Sequence, residues 1–186
     1  MTQPRVRDAH CSYCGAAFSP PLAYPRTCPQ CATTTWANPI PVSVVLVPVR
    51  RGGDEALLVV RRSIEPKKGL LALTGGFLEE HETWQEGGAR EVWEETQVRL
   101  DPATLSTFWF TSTRPKPNRV LLFSLAAPLD ASALKPFQPT NETSERGLVF
   151  GPEGLDALFA FDLHVEAVKR FFASRDVRGP HRYTPA

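Results

Sequence analysis

The chain has 186 residues, of which 42% are hydrophobic and 22% charged, a composition typical of a globular protein that excludes wholesale disorder. Its 21 basic and 20 acidic side chains leave a formal charge of +1, which at first argues against a purely electrostatic nucleic-acid binder. The longest apolar run, at 42–49, is far shorter than the roughly 20 residues of a membrane-spanning helix. No signal peptide is evident at the N-terminus, so we expect a cytoplasmic protein with no membrane partner.

The cysteines organise the first part of the chain. They form two C-x-x-C pairs separated by thirteen residues: Cys11, Cys14, Cys28 and Cys31. Two such pairs can offer four thiolates to one tetrahedral ion, which predicts a structural zinc ion with no open position for catalysis. Two disulfides, which do not persist in a reducing cytosol, and a redox motif are the alternatives. We therefore expect a zinc ribbon over residues 1–37, a module that either contacts nucleic acid or supports a neighbouring domain.

The middle of the chain is typical of strands arranged around one helix. Residues 41–49 predict a buried strand, 50–54 a turn, and 56–61 the returning strand of a hairpin. Further along, the pattern indicates an apolar run at 70–73, a helix over 83–96, strands over 105–111 and 119–126, and a helix over 162–173. This order favours an α/β domain over residues 38–178, followed by a C-terminal tail at 179–186.

One segment is strongly acidic. Residues 79–95 contain seven glutamates and one arginine, a local formal charge of −6, so the overall +1 is a cancellation with a basic remainder of the chain. On a helix, Glu91, Glu94 and Glu95 share about one third of the circumference, where like charges repel. A solvated acidic face is the ordinary explanation. Hard oxygen ligands on one face also suit Mg²⁺ or Mn²⁺, ions that accompany phosphate substrates.

The spacing of these residues resembles the Nudix box, G-x5-E-x7-R-E-U-x-E-E-x-G-U, in which U is aliphatic. The matching positions are Gly76, Glu82 and the run from Arg90 to Val98. Every charged position of the pattern is present, but Gln97 stands where the family has a glycine that ends the helix in a left-handed conformation. We therefore expect Gln97 to cost stability or to alter the cap. With the cysteine pairs, the chain is similar to the zinc-ribbon branch that includes NADH and ADP-ribose pyrophosphatases.

The resemblance implies an α/β/α sandwich, preceded here by the zinc ribbon. It implies hydrolysis of the pyrophosphate bond in a nucleoside diphosphate linked to another group, with ADP-ribose and NAD(H) as first candidates. By the same resemblance, Glu91, Glu94, Glu95 and the Gly76 carbonyl hold the Mg²⁺ or Mn²⁺, and Glu82 pairs with Arg90 to orient the helix. The branch also allows a homodimer.

Further candidate residues lie outside the box. The stretch 141–145 resembles the place of an additional catalytic or metal-binding glutamate, for which Glu142 is favoured over Glu145. Four basic residues are candidates for contacting substrate phosphates: Arg61, Arg62, Arg114 and Lys116. Arg114 and Lys116 replace a tryptophan and a phenylalanine in a motif of the NADH pyrophosphatases, which weakens the prediction of NADH as substrate. A solvated surface remains the alternative for all four.

A second functional hypothesis belongs to another class of protein. The chain would then be a Nudix-like sensor or an RNA-associated module that binds a nucleotide or an RNA end through the zinc ribbon. The complete set of acidic residues in the box argues for the enzyme, because a pure sensor has little need for all of them.

Overall fold

A computed structural model of the chain describes residues 8–114 and 118–186. In it the chain forms two compact units, which divide between Pro39 and Ile40. The first unit contains one short antiparallel hairpin, formed by β1 (Arg26–Thr27) and β2 (Thr34–Thr35). Each C-x-x-C segment is a tight turn that ends in a left-handed residue. The amides of Gly15 and Ala32 donate to the carbonyls of Cys11 and Cys28, both at 2.9 Å.

The described part of the second unit contains ten strands, two α-helices and two short turns of 3₁₀ helix. The strands are β3 (Ile40–Leu46), β4 (Pro48–Arg51), β5 (Asp54–Arg62), β6 (Leu71–Ala72), β7 (Thr74–Phe77), β8 (Ser106–Ser112), β9 (Arg119–Leu125), β10 (Leu129–Asp130), β11 (Thr143–Phe150) and β12 (Arg182–Pro185). The helices are α1 (Trp84–Thr96) and α2 (Asp162–Ala173), and the 3₁₀ turns are Pro102–Thr104 and Ala131–Ala133.

The strands of the second unit form two sheets. The first has the order β7-β3-β9-β8, in which β3 and β9 run parallel and the outer pairs run antiparallel. The second has the order β10-β4-β5-β11-β12, with β6 also paired to β5. All of its pairs are antiparallel except β10 with β4. The chain passes from one sheet to the other at three places: between β3 and β4, between β6 and β7, and between β9 and β10.

The core has two layers, one on each face of the sheets. Successive side chains along a strand point alternately into one layer and the other. Val44 of β3 packs in the cluster that contains α2, whereas the next residue, Val45, packs in the cluster that contains α1. In β5, Leu57 and Leu58 divide between the two clusters in the same way. The helices therefore lie on opposite faces of the sheets, which confirms the predicted α/β/α architecture.

The prediction of a single strand over 41–49 is wrong. β3 ends at Leu46, and β4 begins at Pro48 in the other sheet. At the crossing, the Leu46 carbonyl still accepts from Ala126 beside β9, whereas the Val47 carbonyl accepts from Leu58 in β5. Pro48 has no N–H to donate to a partner strand, so the chain can change sheets there without leaving a donor unpaired. The predicted hairpin is present between β4 and β5, and it turns through Gly52 and Gly53 with φ of 60° and 90°.

The C-terminal segment is a strand rather than the predicted tail. β12 pairs with β11 in antiparallel register, with Tyr183 opposite Val149. The Tyr183 ring lies directly over Gly147, where a Cβ atom would collide with it. A four-residue segment is too short to show a periodic pattern in the sequence. Without β12, β11 would be an unprotected edge strand.

The acidic helix α1 begins in a capping box. The Thr83 amide donates to the Glu86 carboxylate at 2.8 Å, and the Glu86 amide donates to the Thr83 hydroxyl at 3.3 Å. Two glycines, Gly87 and Gly88, follow in the helix, although each costs about 1 kcal/mol relative to alanine. The packing explains them. A Cβ on Gly87 would lie 2.6 Å from the Glu82 carboxylate, and one on Gly88 would lie 2.9 Å from the Ser43 hydroxyl of β3.

We expect Gly88→Ala to destabilise the protein although alanine is the better helix former. The added methyl would also meet Val45 at 3.0 Å and would displace the Ser43 hydroxyl from its bond to the Trp84 carbonyl. Such overpacking costs about 1–3 kcal/mol and outweighs the gain in helix propensity of about 1 kcal/mol. Urea denaturation measures the difference, with Gln85→Ala in the same helix as the control for propensity. Equal or greater stability of Gly88→Ala would show that α1 does not depend on this close approach.

Candidate active site

The guanidinium of Arg90 ties the acidic segment together. It donates to both carboxylate oxygens of Glu82, at 3.0 and 2.7 Å, and to the carboxylates of Glu91 and Glu94, at 2.8 and 3.0 Å. A further bond at 3.0 Å reaches the carbonyl of Phe77 at the end of β7. One side chain on α1 therefore fixes three glutamates and the strand that precedes the helix. The fork geometry of arginine makes this possible, since lysine has no planar pair of donors.

The electrostatic consequence is clearest at Glu82, whose side chain is only 7% exposed. The hydrogen bonds from Arg90 hold the pKa of Glu82 below its ordinary value, against the opposing effect of burial. The same bonds raise the pKa of Arg90. The pair therefore remains ionised at neutral pH and acts as a fixed brace between α1 and the turn before it.

Two glycines bring the backbone of β7 against the carboxylates of α1. The amide of Gly75 donates to the Glu95 carboxylate at 3.0 Å. A side chain on Gly76 would collide with the Glu91 carboxylate, so this approach requires glycine. Gly75 has φ of 151° and lies against the backbone of β3, where a Cβ would also collide. The predicted ligands Glu91, Glu95 and Gly76 are thus brought together, while Glu94 points outward with its side chain 55% exposed.

The buried carboxylates are short of positive charge. Burial raises the pKa of Glu95 to about 8, against the hydrogen bond from Gly75, and the negative charges of Glu91 and Glu142 add to the rise. Burial also raises the pKa of Glu91, opposed by Arg90 and reinforced by Glu94 and Glu142. Crowded carboxylates of this kind are stabilised by a divalent cation that prefers oxygen ligands. The donor set therefore fits Mg²⁺ or Mn²⁺.

The two candidate glutamates at the start of β11 have different surroundings. Glu142 is exposed, and its charge acts on both Glu91 and Glu95. Glu145 accepts hydrogen bonds from Arg61, at 3.1 Å, and from the hydroxyl of Tyr183. These bonds lower the pKa of Glu145 and commit it to the contact between β5, β11 and β12. The surroundings therefore favour Glu142 as the additional acidic group.

The basic candidates also differ in their contacts. Arg61 binds Glu145 and the Gly69 carbonyl, so its guanidinium serves the structure of the β5–β6 loop. Arg62 donates to the Pro66 carbonyl at 3.0 Å. Its positive charge also acts on Glu95, where it opposes the rise in pKa that burial causes. Arg114 is exposed at the end of β8, and Lys116 lies outside the described residues. Of the three candidates that the structure describes, Arg62 is the one whose charge acts on Glu95.

Sequence reasoning missed two residues that support this site, His164 and Arg146, and it recognised a third, Gln97, only as a departure from the glycine of the box. The buried His164 of α2 accepts from the Leu73 amide at 3.1 Å, just before Gly75 and Gly76, and burial lowers its pKa to about 3 so that it stays neutral. Arg146 and Gln97 hold the end of α1 through main-chain groups. A histidine in a helix or an arginine in a strand carries no local signal of such a contact. Gln97 did carry a signal, because it replaces the glycine of the box.

The four cysteines form a separate cluster in the first unit. Their Sγ atoms all lie within 4.8 Å of one another, and the thiols are free. Cys11 and Cys31 are 3.7 Å apart at sulfur, and Cys14 and Cys28 are 3.6 Å apart. None of the four cysteines forms a disulfide, and the two separations are far longer than an S–S bond of about 2.05 Å. They match the edge of about 3.8 Å expected when thiolates lie about 2.3 Å from one tetrahedral Zn²⁺.

Comparison with known proteins assigns the family. The model of the NUDIX domain matches residues 39–171, and the chain therefore belongs to the NUDIX domain family. A MutT-like protein from Streptomyces ambofaciens is 44% identical over 73 residues, which cover 39% of this chain and 44% of that protein. The NAD-capped RNA hydrolase NudC from Chromobacterium violaceum is 31% identical over 111 residues, covering 60% of this chain and 38% of NudC. The chain thus spans less than half the length of either relative.

Solved structures share the fold. A NUDIX hydrolase from Nitrosomonas europaea has a TM-score of 0.63 at 25% identity, over 90% of this chain and 92% of that one. The NUDIX domain of Shewanella oneidensis NrtR, solved with ADP ribose, has a TM-score of 0.62 at 18% identity, over 75% of this chain and 90% of that one. Among the described residues, no helix has the length and apolarity needed to cross a membrane.

We expect Arg90→Met to destabilise the protein by about 3 kcal/mol at neutral pH, because it leaves the buried Glu82 carboxylate without its partner. When Arg90→Met is added to the variant Glu82→Gln, the further loss of stability should be much smaller, because the two residues act as one unit. The folded pKa of Glu82 is depressed, so this stabilisation is present above its ordinary value of 4.5 and declines as the pH falls below it. Urea denaturation over this pH range measures the difference. Additive losses in the double variant would contradict the coupling.

Proposed function

We propose that the chain is a metal-dependent hydrolase of the pyrophosphate bond in a nucleoside diphosphate linked to a second group. One observation carries the proposal in this member of the NUDIX family. The buried carboxylates of Glu91 and Glu95 lie against the glycine backbone of β7 with raised pKa values, a charge arrangement that a divalent cation stabilises. Perturbed acidic groups held by a rigid hydrogen-bond network are typical of a site that performs chemistry.

The chemistry explains why such a site needs cations. A pyrophosphate resists hydrolysis because its negative charge repels an incoming nucleophile. Bound Mg²⁺ or Mn²⁺ neutralises this charge, activates a water molecule and stabilises the leaving phosphate. Without a cation, the acidic segment and a phosphate substrate repel each other. The acidic face of α1 therefore supports activity that is strictly metal-dependent.

The residues of the chain would divide the work as follows. Glu91, Glu94 and Glu95 would hold the cation, with the carbonyl of Gly76 as a further oxygen ligand. Glu142 would add a further carboxylate, whose charge already acts on Glu91 and Glu95. The role of Arg90 is to keep the glutamates of α1 in position while Glu82 compensates its charge. Arg62 is the cation best placed to meet a substrate phosphate, with Arg61 confined to a structural role.

The proposed substrates are ADP-ribose and NAD(H), or a nucleotide of the same class. The NAD-capped RNA hydrolase among the relatives and the ADP ribose bound by the NrtR domain support this choice. Phe77, which follows Gly76, presents a ring that is 52% exposed, and the Arg119 guanidinium lies 5.5 Å from the centre of that ring. An exposed aromatic ring on the residue next to Gly76, which itself approaches the Glu91 carboxylate, suits a planar base.

A capped RNA end is the second candidate for the group attached to the nucleotide. In the first unit, Tyr13 lies between two of the cysteines and is 73% exposed, and Trp36 is 65% exposed. Exposed aromatic rings on a small zinc module are suited to stacking on unpaired bases. Salt-dependent binding of single-stranded RNA would support this candidate, because phosphate contacts release counterions.

We expect wild-type protein to hydrolyse at least one substrate of a panel containing ADP-ribose, NADH and NAD-capped RNA when Mg²⁺ or Mn²⁺ is present. Glu94→Gln should lower kcat by about 10²–10³-fold, because it removes a charged ligand that stabilises the transition state. The fold should persist because this side chain is largely exposed. Glu80→Gln removes the same charge from an exposed glutamate at a position that the box pattern leaves unspecified, and it is the matched control.

The outcomes separate two failures. No turnover of any substrate by folded, metal-loaded wild-type protein would reject the enzyme. Wild-type turnover in Glu94→Gln would instead reject the assignment of that ligand. Products are best identified by mass spectrometry, because cleavage within the pyrophosphate yields two phosphate-bearing fragments.

We also expect the first unit to bind one Zn²⁺ per chain, because its four sulfur atoms lie within 4.8 Å of one another and two pairs are 3.6 and 3.7 Å apart. Elemental analysis of purified protein gives the stoichiometry. Cys28→Ser should lose the zinc and unfold the first unit, which has a core too small to hold it together without the metal. Thr27→Ser, beside the same ligand, is the control. Purified protein with intact, reduced cysteines and no bound zinc would contradict this expectation.

A further inference from the structure

Arg119, the first residue of β9, has a guanidinium that is unpaired within the part of the chain that the structure describes. Its Nε atom is enclosed and has no hydrogen-bond partner among these residues, and no carboxylate among them forms an ion pair with it. Other arginines of the second unit are paired with carboxylates, namely Arg61, Arg90, Arg170, Arg175 and Arg182. An enclosed donor normally has a partner, so the donors of Arg119 call for an acceptor from outside the chain.

The register of the first sheet sets Arg119 on the same face as Phe77. Arg119 lies opposite Ile40 of β3. Two residues further along, Leu121 lies opposite Val42, which itself pairs with Phe77 of β7. Side chains two residues apart on a strand point to the same face of the sheet. Since Leu121 packs in the cluster that contains α2, Arg119 and Phe77 both lie on the α2 face.

The α2 face is open at this end of the sheet. Ile40 is 38% exposed and Phe77 is 52% exposed, whereas Val42 is partly buried. The guanidinium carbon of Arg119 lies 5.5 Å from the centre of the Phe77 ring. Because β7 is the outermost strand of its sheet, a ligand can reach this ring from the free edge of the strand.

Phe77 joins this open end of the sheet to the acidic site. It follows Gly76, where a Cβ atom would lie 2.3 Å from the Glu91 carboxylate, and its own carbonyl accepts from Arg90 at 3.0 Å. A substrate whose pyrophosphate is held at Glu91 can therefore lay the attached nucleoside over the Phe77 ring. The Arg119 guanidinium then lies beside the nucleoside and not at the pyrophosphate.

The donors of Arg119 are best matched by a phosphate group. The planar fork of a guanidinium binds two phosphate oxygens at once, and a hydrogen bond from an enclosed donor is strongest when the acceptor is charged. A nucleoside is neutral beyond the pyrophosphate unless its ribose is phosphorylated. A ribose phosphate occurs as a phosphomonoester in a phosphorylated dinucleotide and as a phosphodiester where an RNA chain continues.

We propose that Arg119 is a specificity-determining residue that binds a phosphate group on the ribose of the nucleoside stacked on Phe77. The preferred substrate therefore carries this phosphate in addition to the pyrophosphate that is cleaved. This inference rests on the proposed function, in which Phe77 receives the base. It goes further by naming a second anionic group of the substrate and the residue that recognises it.

The first test uses ligands that need no turnover. Calorimetric titration in the presence of Mg²⁺ compares AMP with adenosine 2′,5′-bisphosphate and adenosine 3′,5′-bisphosphate. The variant Arg119→Met removes the charge and the donors but keeps an unbranched side chain beside Phe77. Arg99→Met is the matched control, because the Arg99 guanidinium also covers an aromatic ring, that of Trp93 at 3.9 Å, but lies beyond the end of α1.

We expect the wild type to bind at least one bisphosphate about 10-fold more tightly than AMP, the size of effect that a charge-assisted hydrogen bond provides. Arg119→Met should lower the affinity for this bisphosphate to that for AMP, which lacks the group that Arg119 binds. Arg99→Met should match the wild type. Equal affinity of the wild type for all three ligands, or a preference that survives in Arg119→Met, would overturn the inference.

Steady-state kinetics then distinguishes the two sources of the phosphate. A higher kcat/KM for NADPH than for NADH, lost in Arg119→Met, supports a phosphomonoester. A preference for NAD-capped RNA over NAD, lost in the same variant, supports a phosphodiester. Equal kcat/KM within both pairs of substrates would contradict the role of Arg119. Absence of wild-type turnover on every substrate would reject the proposed function instead, and the calorimetric affinities would then decide the role of Arg119.

Discussion

Arg90 is the one arginine or lysine in a segment with seven glutamates, and the organisation of the site depends on its guanidinium. Its planar fork compensates the buried Glu82 and still reaches Glu91, Glu94 and the Phe77 carbonyl. Because these contacts come from one rigid group, the helix, the preceding turn and the end of β7 are held in one arrangement. The negative charges of Glu91 and Glu95 are not fully compensated, and the pKa values of both carboxyl groups are raised. Uncompensated carboxylates of this kind favour the binding of a cation.

Close approach of backbones is the second requirement of this arrangement. Gly75 and Gly76 let β7 lie against the carboxylates of α1, and Gly87 and Gly88 let α1 lie against Glu82 and β3. Glycine within a helix or strand destabilises that element. In the box, this loss of local stability accompanies the close approach between the charged groups and the backbone. The capping box at the start of α1 offsets part of this loss.

Local patterns predicted the features that depend on neighbours in the chain. The bounds of α2 and the hairpin through Gly52 and Gly53 follow from short-range spacing, and the α/β/α architecture followed from the resemblance of the box. Contacts between distant residues left no such pattern. The change of sheets at Pro48 depends on partners in β5 and β9, and β12 forms because Gly147 leaves room for Tyr183. The near-zero net charge argued wrongly against a phosphate-containing partner, because it sums an acidic segment and a basic remainder of the chain.

The site residues divide in the same way. Spacing alone indicated the glutamates of α1, but it gave no means of choosing between Arg61 and Arg62, because their difference lies in contacts with Glu145 and Pro66. Gln97 was recognised as a departure from the family pattern, whereas its partner Gln138 lies 41 residues away. Such a partner becomes visible only when the chain is folded.

The most direct test of the account is to locate Mn²⁺ by anomalous diffraction in crystals of the protein. The account predicts an ion bound through oxygen at about 2.1–2.2 Å from the carboxylates of Glu91, Glu94 or Glu95, with Arg90 still paired to Glu82. Full Mn²⁺ occupancy elsewhere, with these carboxylates bare, would contradict it.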